Sequence, residues 1–472
     1  MTETTGGGAG KDRRLGSSPD HYVVAKEDNV TKMRWSLTGC LVAGLYAAIA
    51  ATGVWAQDAS PAIGALKIDS GDTAWVLTSS ALVLAMVMPG LALFYSGLVR
   101  GKNALGTIMH SLIILCLISL VWILFGYSLT FGPDKGGVIG GLEWAGLHGV
   151  GMEPHPVYGP TIPHQAFMIF QLMFAAITPA LITGAFAERI KFSGLLCFAV
   201  MWSILIYCPV AHWIWGGGWL AKMGAVDFAG GAVVHISSGI SALACALVLG
   251  HRRGYRTDYL APHNLPLTLL GTGLLWFGWF GFNGGSALGA NSIAVGALVA
   301  THTAAAAAGV AWMVVEWIHR GKPTVLGVAS GAVAGLATVT PAAGYIGPFS
   351  ALLIGLLAGM VCYFAIVWKA KIGYDDSLDV VGIHGVGGVV GILATGLLAS
   401  KVVNPAGVDG VFFGNPAQFG IQALTVFVTA VFSFVGTYVI LKLLDGLTGL
   451  RISPEEEAIG LDLSQHNERA YS

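Results

Sequence analysis

The sequence predicts an all-α polytopic membrane protein: eleven transmembrane helices, built as two inverted five-helix repeats plus one extra helix. Three observations predict it. The 472-residue chain is 55% hydrophobic and only 10% charged, whereas soluble domains are roughly one quarter charged. Apolar runs of 18 or more residues recur along nearly its whole length, each long enough to cross about 30 Å of hydrocarbon. One pattern also occurs twice: an acid stands eight residues ahead of a histidine in an apolar, glycine-rich helix. It runs from Asp227 to His235 and again from Asp376 to His384. Ionisable groups inside a hydrophobic span are costly and mark a pathway or site, and repeats that meet at the bilayer midplane build such sites.

Composition excludes other classes. A β-barrel shows short alternating segments instead of long apolar runs. The net charge of −1 argues against a nucleic-acid partner. The six cysteines form no CxxC pair and imply neither a disulfide framework nor a zinc site.

Residues 1–32 are polar and glycine-rich and cannot build a core. Lys32-Met33-Arg34 precedes an apolar run from Leu41 to Val54, and Val54-Trp55-Ala56 follows as a small-x-small site. This reads as a secretory signal peptide cleaved after Ala56, with a retained first helix as the alternative. Met33 is a natural start for such a peptide. Leu37-Thr38-Gly39-Cys40 has a lipoprotein look but lies too close to Arg34 for an apolar region to precede it. The expected organisation is a disordered extension and signal peptide over 1–56, a transmembrane domain over 57–446 and a tail over 447–472.

The expected spans are 73–98, 104–131, 163–187, 192–211, 231–250, 264–285, 290–317, 324–341, 348–368, 379–400 and 417–445. Arg100, Lys102, Arg189, Lys191, Arg252, Arg253, Arg256, Arg320, Lys322, Lys369 and Lys371 fall in alternate loops; the opposite loops hold only Lys135, Lys222 and Lys401. The basic loops are therefore cytoplasmic, with the mature N-terminus outside and the C-terminus inside a multi-pass inner (plasma) membrane protein. Five spans per half is an odd number, which forces the halves into opposite orientations. LALFYSGL at 91–98 and FGFNGGSAL at 280–288 share a look across the halves. Gly327, Gly331 and Gly335 on span eight read as a close-packing face.

In hydrocarbon the uncharged ring is the favoured form of His235 and His384, and each neutral ring offers one donor and one acceptor. Brought together by the repeat axis, the two can share a hydrogen bond and line a narrow pore. The alternatives are two satisfied core histidines, or two ligands to a haem iron in a membrane redox subunit. Asp227 and Asp376 each stand before a helix, where a carboxylate caps free N–H groups; cation attraction or proton relay is the other reading for Asp227. Asp379 reads as a capping or packing residue. Trp213, Trp215, Phe174, Trp276, Trp279 and Phe282 cluster at the outer ends of spans. They read as an interfacial belt or as a converging cation–π cage.

These stretches resemble the ammonium transporter (Amt/Mep) family. LALFYSGLVRGKN, GAFAERIKFS, AHWIWGGGWLAKMGAVDFAGGAVVHI, PHNLP, GWFGFNGGSA, HRGKPT, GYIGP and DDSLDVVGIHGVGG carry the resemblance in family order over residues 70–470. It implies eleven helices, an inverted repeat and a homotrimer with one pore per subunit. It also implies an outer ammonium-recruiting site at Phe174, Trp215 and Ser286, and a stacked gate of Phe174 and Phe282. His235 and His384 match the pore-lining histidine pair, and Asp227 matches the acid supporting the outer site. Gln171, Phe94, Trp279 and Asn283 fall at vestibule or pore-adjacent positions. Trp215 and Ser286 favour the Amt type over the Rhesus type.

The resemblance implies a substrate, ammonium or ammonia, and no cofactor, metal or catalytic residue. A bare cation in hydrocarbon costs tens of kcal/mol by an idealised estimate. Stripping a proton from ammonium costs only about 3 kcal/mol at neutral pH. A dry pore therefore carries ammonia, recognises ammonium outside and excludes potassium, which has no proton to lose. The family leans toward net charge movement. The acidic tail RISPEEEAIGLDLSQHNERAYS reads by itself as a solvated segment; in the family it couples subunits and docks a PII-type signalling protein. An ammonium sensor with the same fold and little flux is the alternative function, although the tail shows no kinase or cyclase domain.

Overall fold

The computed structural model describes residues 66–471. The expected extension, signal peptide, Ala56 cleavage site, alternative first helix and Leu37–Cys40 motif lie outside the described residues.

Among the described residues, eleven membrane-type helices follow in chain order: α1 (Ser70–Leu98), α2 (Gly101–Phe131), α3 (His164–Ile182), α4 (Phe192–Lys222), α5 (Gly231–Leu249), α6 (Leu265–Gly285), α7 (Ser292–Arg320), α8 (Val325–Val339), α9 (Pro348–Ile372), α10 (Val381–Leu398) and α11 (Ala417–Thr448). Ten are long and apolar enough to cross a bilayer. The sequence places their starts through caps: Asp69, Asn264, Asn291 and Thr324 each accept a first-turn N–H at α1, α6, α7 and α8. Pro89 interrupts α1, where Met88 leaves helical dihedrals.

Two differences from the expected spans have physical causes. Helix α3 stops at Ile182 rather than 187. Beyond it the chain turns so that the fully buried Arg189 can donate to the Ala185 carbonyl at 3.0 Å and the Asp375 carbonyl at 2.5 Å. Helix α8 has 15 residues, about 22 Å of rise, short of a full crossing; Thr340 and Pro341 end it in a buried turn. The 132–163 connection forms two small antiparallel hairpins, β1 (Asp134–Lys135) with β2 (Ile139–Gly140), and β3 (Pro154–His155) with β4 (Gly159–Pro163).

The packing repeats between halves. The opening helices α1 and α6 lie against each other, as do the histidine helices α5 and α10. Helices α5 and α10 approach to backbone contact: a Cβ on Gly239 would stand 2.1 Å from the Gly385 nitrogen. Helix α8 packs its glycine face on α7, and α9 completes that layer. Helix α11 braces α5 and α10, and its Gln422 side chain bonds both the amide and the carbonyl of Val226.

At the face with the basic loops, Glu188 accepts from the Arg100 amide at 2.7 Å and its guanidinium at 2.8 Å, while Arg252 pairs with Asp375 at 2.9 Å. Burial opposes ionisation of Glu188, but the Arg100 bond and the Arg252 charge hold it below the ordinary glutamate range. The tail, read from sequence alone as solvated, is docked. Its helices α12 (Pro454–Ile459) and α13 (Leu461–His466) fold back onto the turn between α1 and α2. Asn103 accepts from the Leu461 amide and Asp462 from the Gly106 amide. Asp379, expected to cap or pack, ion-pairs with Lys369.

Candidate functional site

A cleft of about 420 Å³ opens on the face poor in basic residues. Phe174, Gln171, Trp215, Asp227, Ser286 and Tyr345 are among its walls. Helix α4 breaks after Ile214 because the three glycines 216–218 admit a sharp turn: a Cβ on Gly216 would stand 2.1 Å from the Thr130 carbonyl. That turn presents Trp215 to the cleft. Its indole Nε1 donates to the Asp227 carbonyl at 2.8 Å, leaving the ring face as its contribution.

The Asp227 carboxylate is buried and accepts four backbone amides. Oδ1 takes Gly230 and Gly231 at 2.8 and 2.6 Å; Oδ2 takes Ala232 and Val233 at 2.7 and 3.1 Å. It thus supplies the partners that the start of α5 lacks. Burial pushes this carboxyl above the usual aspartate range, and the four amides oppose the shift. Asp376 plays the weaker counterpart at α10: Oδ2 accepts from the Val381 amide at 2.8 Å, while Oδ1 is buried without a partner.

Below the cleft runs an unbroken column of rings. Phe174 meets Trp215 edge-on with centroids 5.7 Å apart. Phe174 lies 4.3 Å from Phe282, so no molecule fits between them as they stand. Phe282 lies 6.2 Å from His235 at 28°, and His235 lies 5.2 Å from His384 at 24°. The two Nδ1 atoms are 3.2 Å apart, so one ring donates and the other accepts. The Nε2 of His235 is buried and makes no hydrogen bond. Trp279 stacks 5.6 Å from His235 and is fixed by its own bond to Thr340. Past His384 lies a cavity of about 10 Å³ walled by Phe94, Tyr95, Leu181, Trp279, Leu378 and Ile383, at the lower limit for one water-sized molecule.

The model of the Ammonium Transporter Family matches residues 74–471. The chain belongs to the ammonium transporter family. The ammonium transporter of Bacillus subtilis is 52% identical over 85% of this chain and 98% of its own length. Ammonium transporter Amt1 of Archaeoglobus fulgidus is 51% identical over 86% and 100%. The crystal structure of Candida albicans Mep2 matches with TM-score 0.78 at 38% identity, covering 83% of this chain and 88% of that one. A structure described as a sensor Amt protein matches at 0.78 and 31%, covering 84% and 98%.

In this ammonium transporter family member the structure gathers Phe174, Trp215, Ser286, Phe282, His235 and His384 along one line, with Asp227 and Gln171 at its wide end and Phe94 and Trp279 at its narrow end. Two candidates stand apart from the ring column and from both cavities: Asn283 is fully buried and donates to Thr301, and Asp376 lies in the loop before α10. Several wall residues escaped the sequence reading. Tyr95 adjoins Phe94 in LALFYSGL, and its hydroxyl donates to the Leu181 carbonyl at 2.9 Å; a polar ring inside an apolar span was the available signal. Tyr158, Phe228, Tyr345 and Asn404 come from loops, where no periodicity says which way a side chain faces.

Proposed function

We propose that this chain transports ammonium by recruiting the cation at Phe174, Trp215 and Ser286, removing a proton and passing ammonia between Phe174 and Phe282 and along His235 and His384. The single observation carrying this reading is the ring column, which joins an open cleft at one end to a cavity near one molecule in size at the other. Trp215 offers a ring face and Ser286 a hydroxyl oxygen to a cation; Asp227 supports them by pinning the Trp215 indole and the start of α5. A cation held by a ring face gains about 0.5–2 kcal/mol, enough to concentrate ammonium without trapping it.

Crossing requires the phenylalanine rings to swing apart. Beyond them the free Nε2 of His235 offers a polar contact to a neutral molecule in an otherwise apolar passage. Because the hydrogen-bonded rings hold complementary tautomers, they can also hand a proton onward, which gives net charge movement. Potassium is excluded because it must cross as an ion. The protein sits in the inner (plasma) membrane as a homotrimer, basic loops and tail in the cytoplasm, and its inner face accepts a PII-type signalling protein. The family membership and the basic-loop pattern support these assignments.

The likeness to a sensor Amt structure supports a second reading, ammonium sensing with little flux. Ammonium uptake by vesicles containing the protein separates them: uptake above empty vesicles supports transport, and ammonium binding without uptake supports sensing.

A further inference from the structure

The turn that carries Trp215 is held from outside by a charged group unconnected to the pore. His212 stands three residues earlier on α4 and is fully buried. Its Nδ1 lies 2.7 Å from the carbonyl oxygen of Thr130, and its Nε2 lies 3.0 Å from Oδ1 of Asp134. A carbonyl oxygen can only accept, so Nδ1 carries hydrogen. In a neutral ring Nε2 would then present a lone pair to the carboxylate. Asp134 supplies no hydrogen there, because it is an ion-paired carboxylate: the Lys222 ammonium lies 2.5 Å from Oδ2 and the Gly137 amide donates to Oδ1 at 2.6 Å. Both ring nitrogens of His212 must therefore carry hydrogen.

We propose that Asp134 holds His212 as a buried imidazolium and that this pair, closed by Lys222, is the positioning clamp for Trp215. The two cations flank the turn: His212 precedes the break in α4 and Lys222 follows it, so one carboxylate ties both stems of 215–218. The backbone transmits the hold directly. The Gly216 and Gly218 amides donate to the His212 carbonyl at 3.1 and 2.9 Å. The β1–β2 hairpin that carries Asp134 adds two neutral ties, from the Trp213 indole to the Val138 carbonyl and from the Trp219 amide to the Gly137 carbonyl. Tyr158, from the β3–β4 hairpin, donates to the Gly216 carbonyl at 3.3 Å. Lys135 on the same hairpin is engaged by Glu143. The Lys222 and His212 bonds hold the Asp134 carboxyl well below the usual range.

The inference rests on the reading of Trp215 as part of the outer ammonium site, and the test keeps the two apart. Full-length protein in liposomes, labelled with ¹⁵N at histidine, is compared with Asp134→Asn and His212→Gln; the last identifies the His212 signals by their loss. Near neutral pH the wild type should show His212 with both nitrogens protonated, and Asp134→Asn should show a neutral ring. In transport assays Asp134→Asn should raise KM for ammonium about tenfold with little change in maximal rate, the loss of one charge-assisted bond. Trp215→Ala serves as the reference for the outer site. A neutral His212 in the wild type overturns the imidazolium. An unchanged KM in Asp134→Asn while Trp215→Ala raises it overturns the clamp. If Trp215→Ala leaves KM unchanged, the outer-site reading fails and takes the positioning role with it, and the nitrogen spectrum decides the charge alone. Asp134 lies in a partly exposed hairpin, so its variant keeps the test available if His212→Gln does not fold.

Discussion

His235 and His384 meet Nδ1 to Nδ1 at 3.2 Å, and they can do so because Gly239 and Gly385 bring the backbones of α5 and α10 into contact four residues past His235 and one past His384. A reciprocal bond of this kind makes the two rings one unit. Removing either ring ends the donor–acceptor pair and opens the passage on one side. His235→Ala, His384→Ala and the double variant should therefore lose ammonium conduction to a similar extent, at least about tenfold, because members of a unit act non-additively. Initial uptake rates in vesicles check this; a double variant whose loss equals the product of the single losses contradicts it.

Gly239 offers an independent test of the same contact. A valine there places its Cβ 2.1 Å from the Gly385 nitrogen, so the helices must separate. The cost should be about 1–3 kcal/mol or more, seen as a lowered melting temperature together with lost uptake. Gly273, on α6, has nothing within 4 Å of its ideal Cβ. Gly273→Ala should keep both properties, and a loss there equal to that in Gly239→Val would contradict the steric account.

Asp227→Ala strands four backbone amides at the start of α5. Each buried donor left without a partner costs about 1–3 kcal/mol, so this variant should be strongly destabilised and should lose affinity at the Trp215 site that the same loop holds. Asp227→Asn keeps an acceptor oxygen and should retain part of both. Melting temperature and KM should move together across the pair. Equal behaviour of the two variants would show that the amides are satisfied in some other way.

Asp376 gives a pH signature. Burial, with the nearby Asp379 charge, raises its carboxyl to about 6 against the opposing Lys369 charge. The folded protein then binds this proton more tightly than the unfolded chain does. The stabilisation is fully present below the ordinary aspartate pKa of about 4 and is lost as pH rises through 6, a change on the order of 3 kcal/mol. Asp376→Asn carries no such proton. Relative to that variant, the wild type should lose stability between about pH 4 and 6 and stay level above. Melting curves of both proteins across this range measure the gap; a gap independent of pH would place Asp376 in an unstrained setting.

The helices were legible because hydrocarbon demands long apolar runs, and the basic loops because their Lys and Arg stand out between those runs. The histidine pairing was legible as a repeated spacing. What remained hidden depends on tertiary direction. That Arg189 would end α3 early and bury itself under the Asp375 loop has no local signal, since a basic residue after a span reads equally well as a solvated loop charge. The docked tail was hidden for the same reason: Asp462 and Glu457 read as solvated charges until Gly106, Arg253 and Arg451 are seen to meet them. Asn283 and Trp279 sit on the same helix, yet only Trp279 reaches the path.

The most direct measurement is current and uptake from proteoliposomes pulsed with ammonium, with potassium, empty liposomes and the His235→Ala/His384→Ala protein as controls. Passage of deprotonated ammonia along the ring column gives a saturating, ammonium-specific uptake with accompanying current, lost in the histidine variant and absent with potassium. Equal responses to potassium, or full uptake by the histidine variant, would contradict passage of deprotonated ammonia along the ring column.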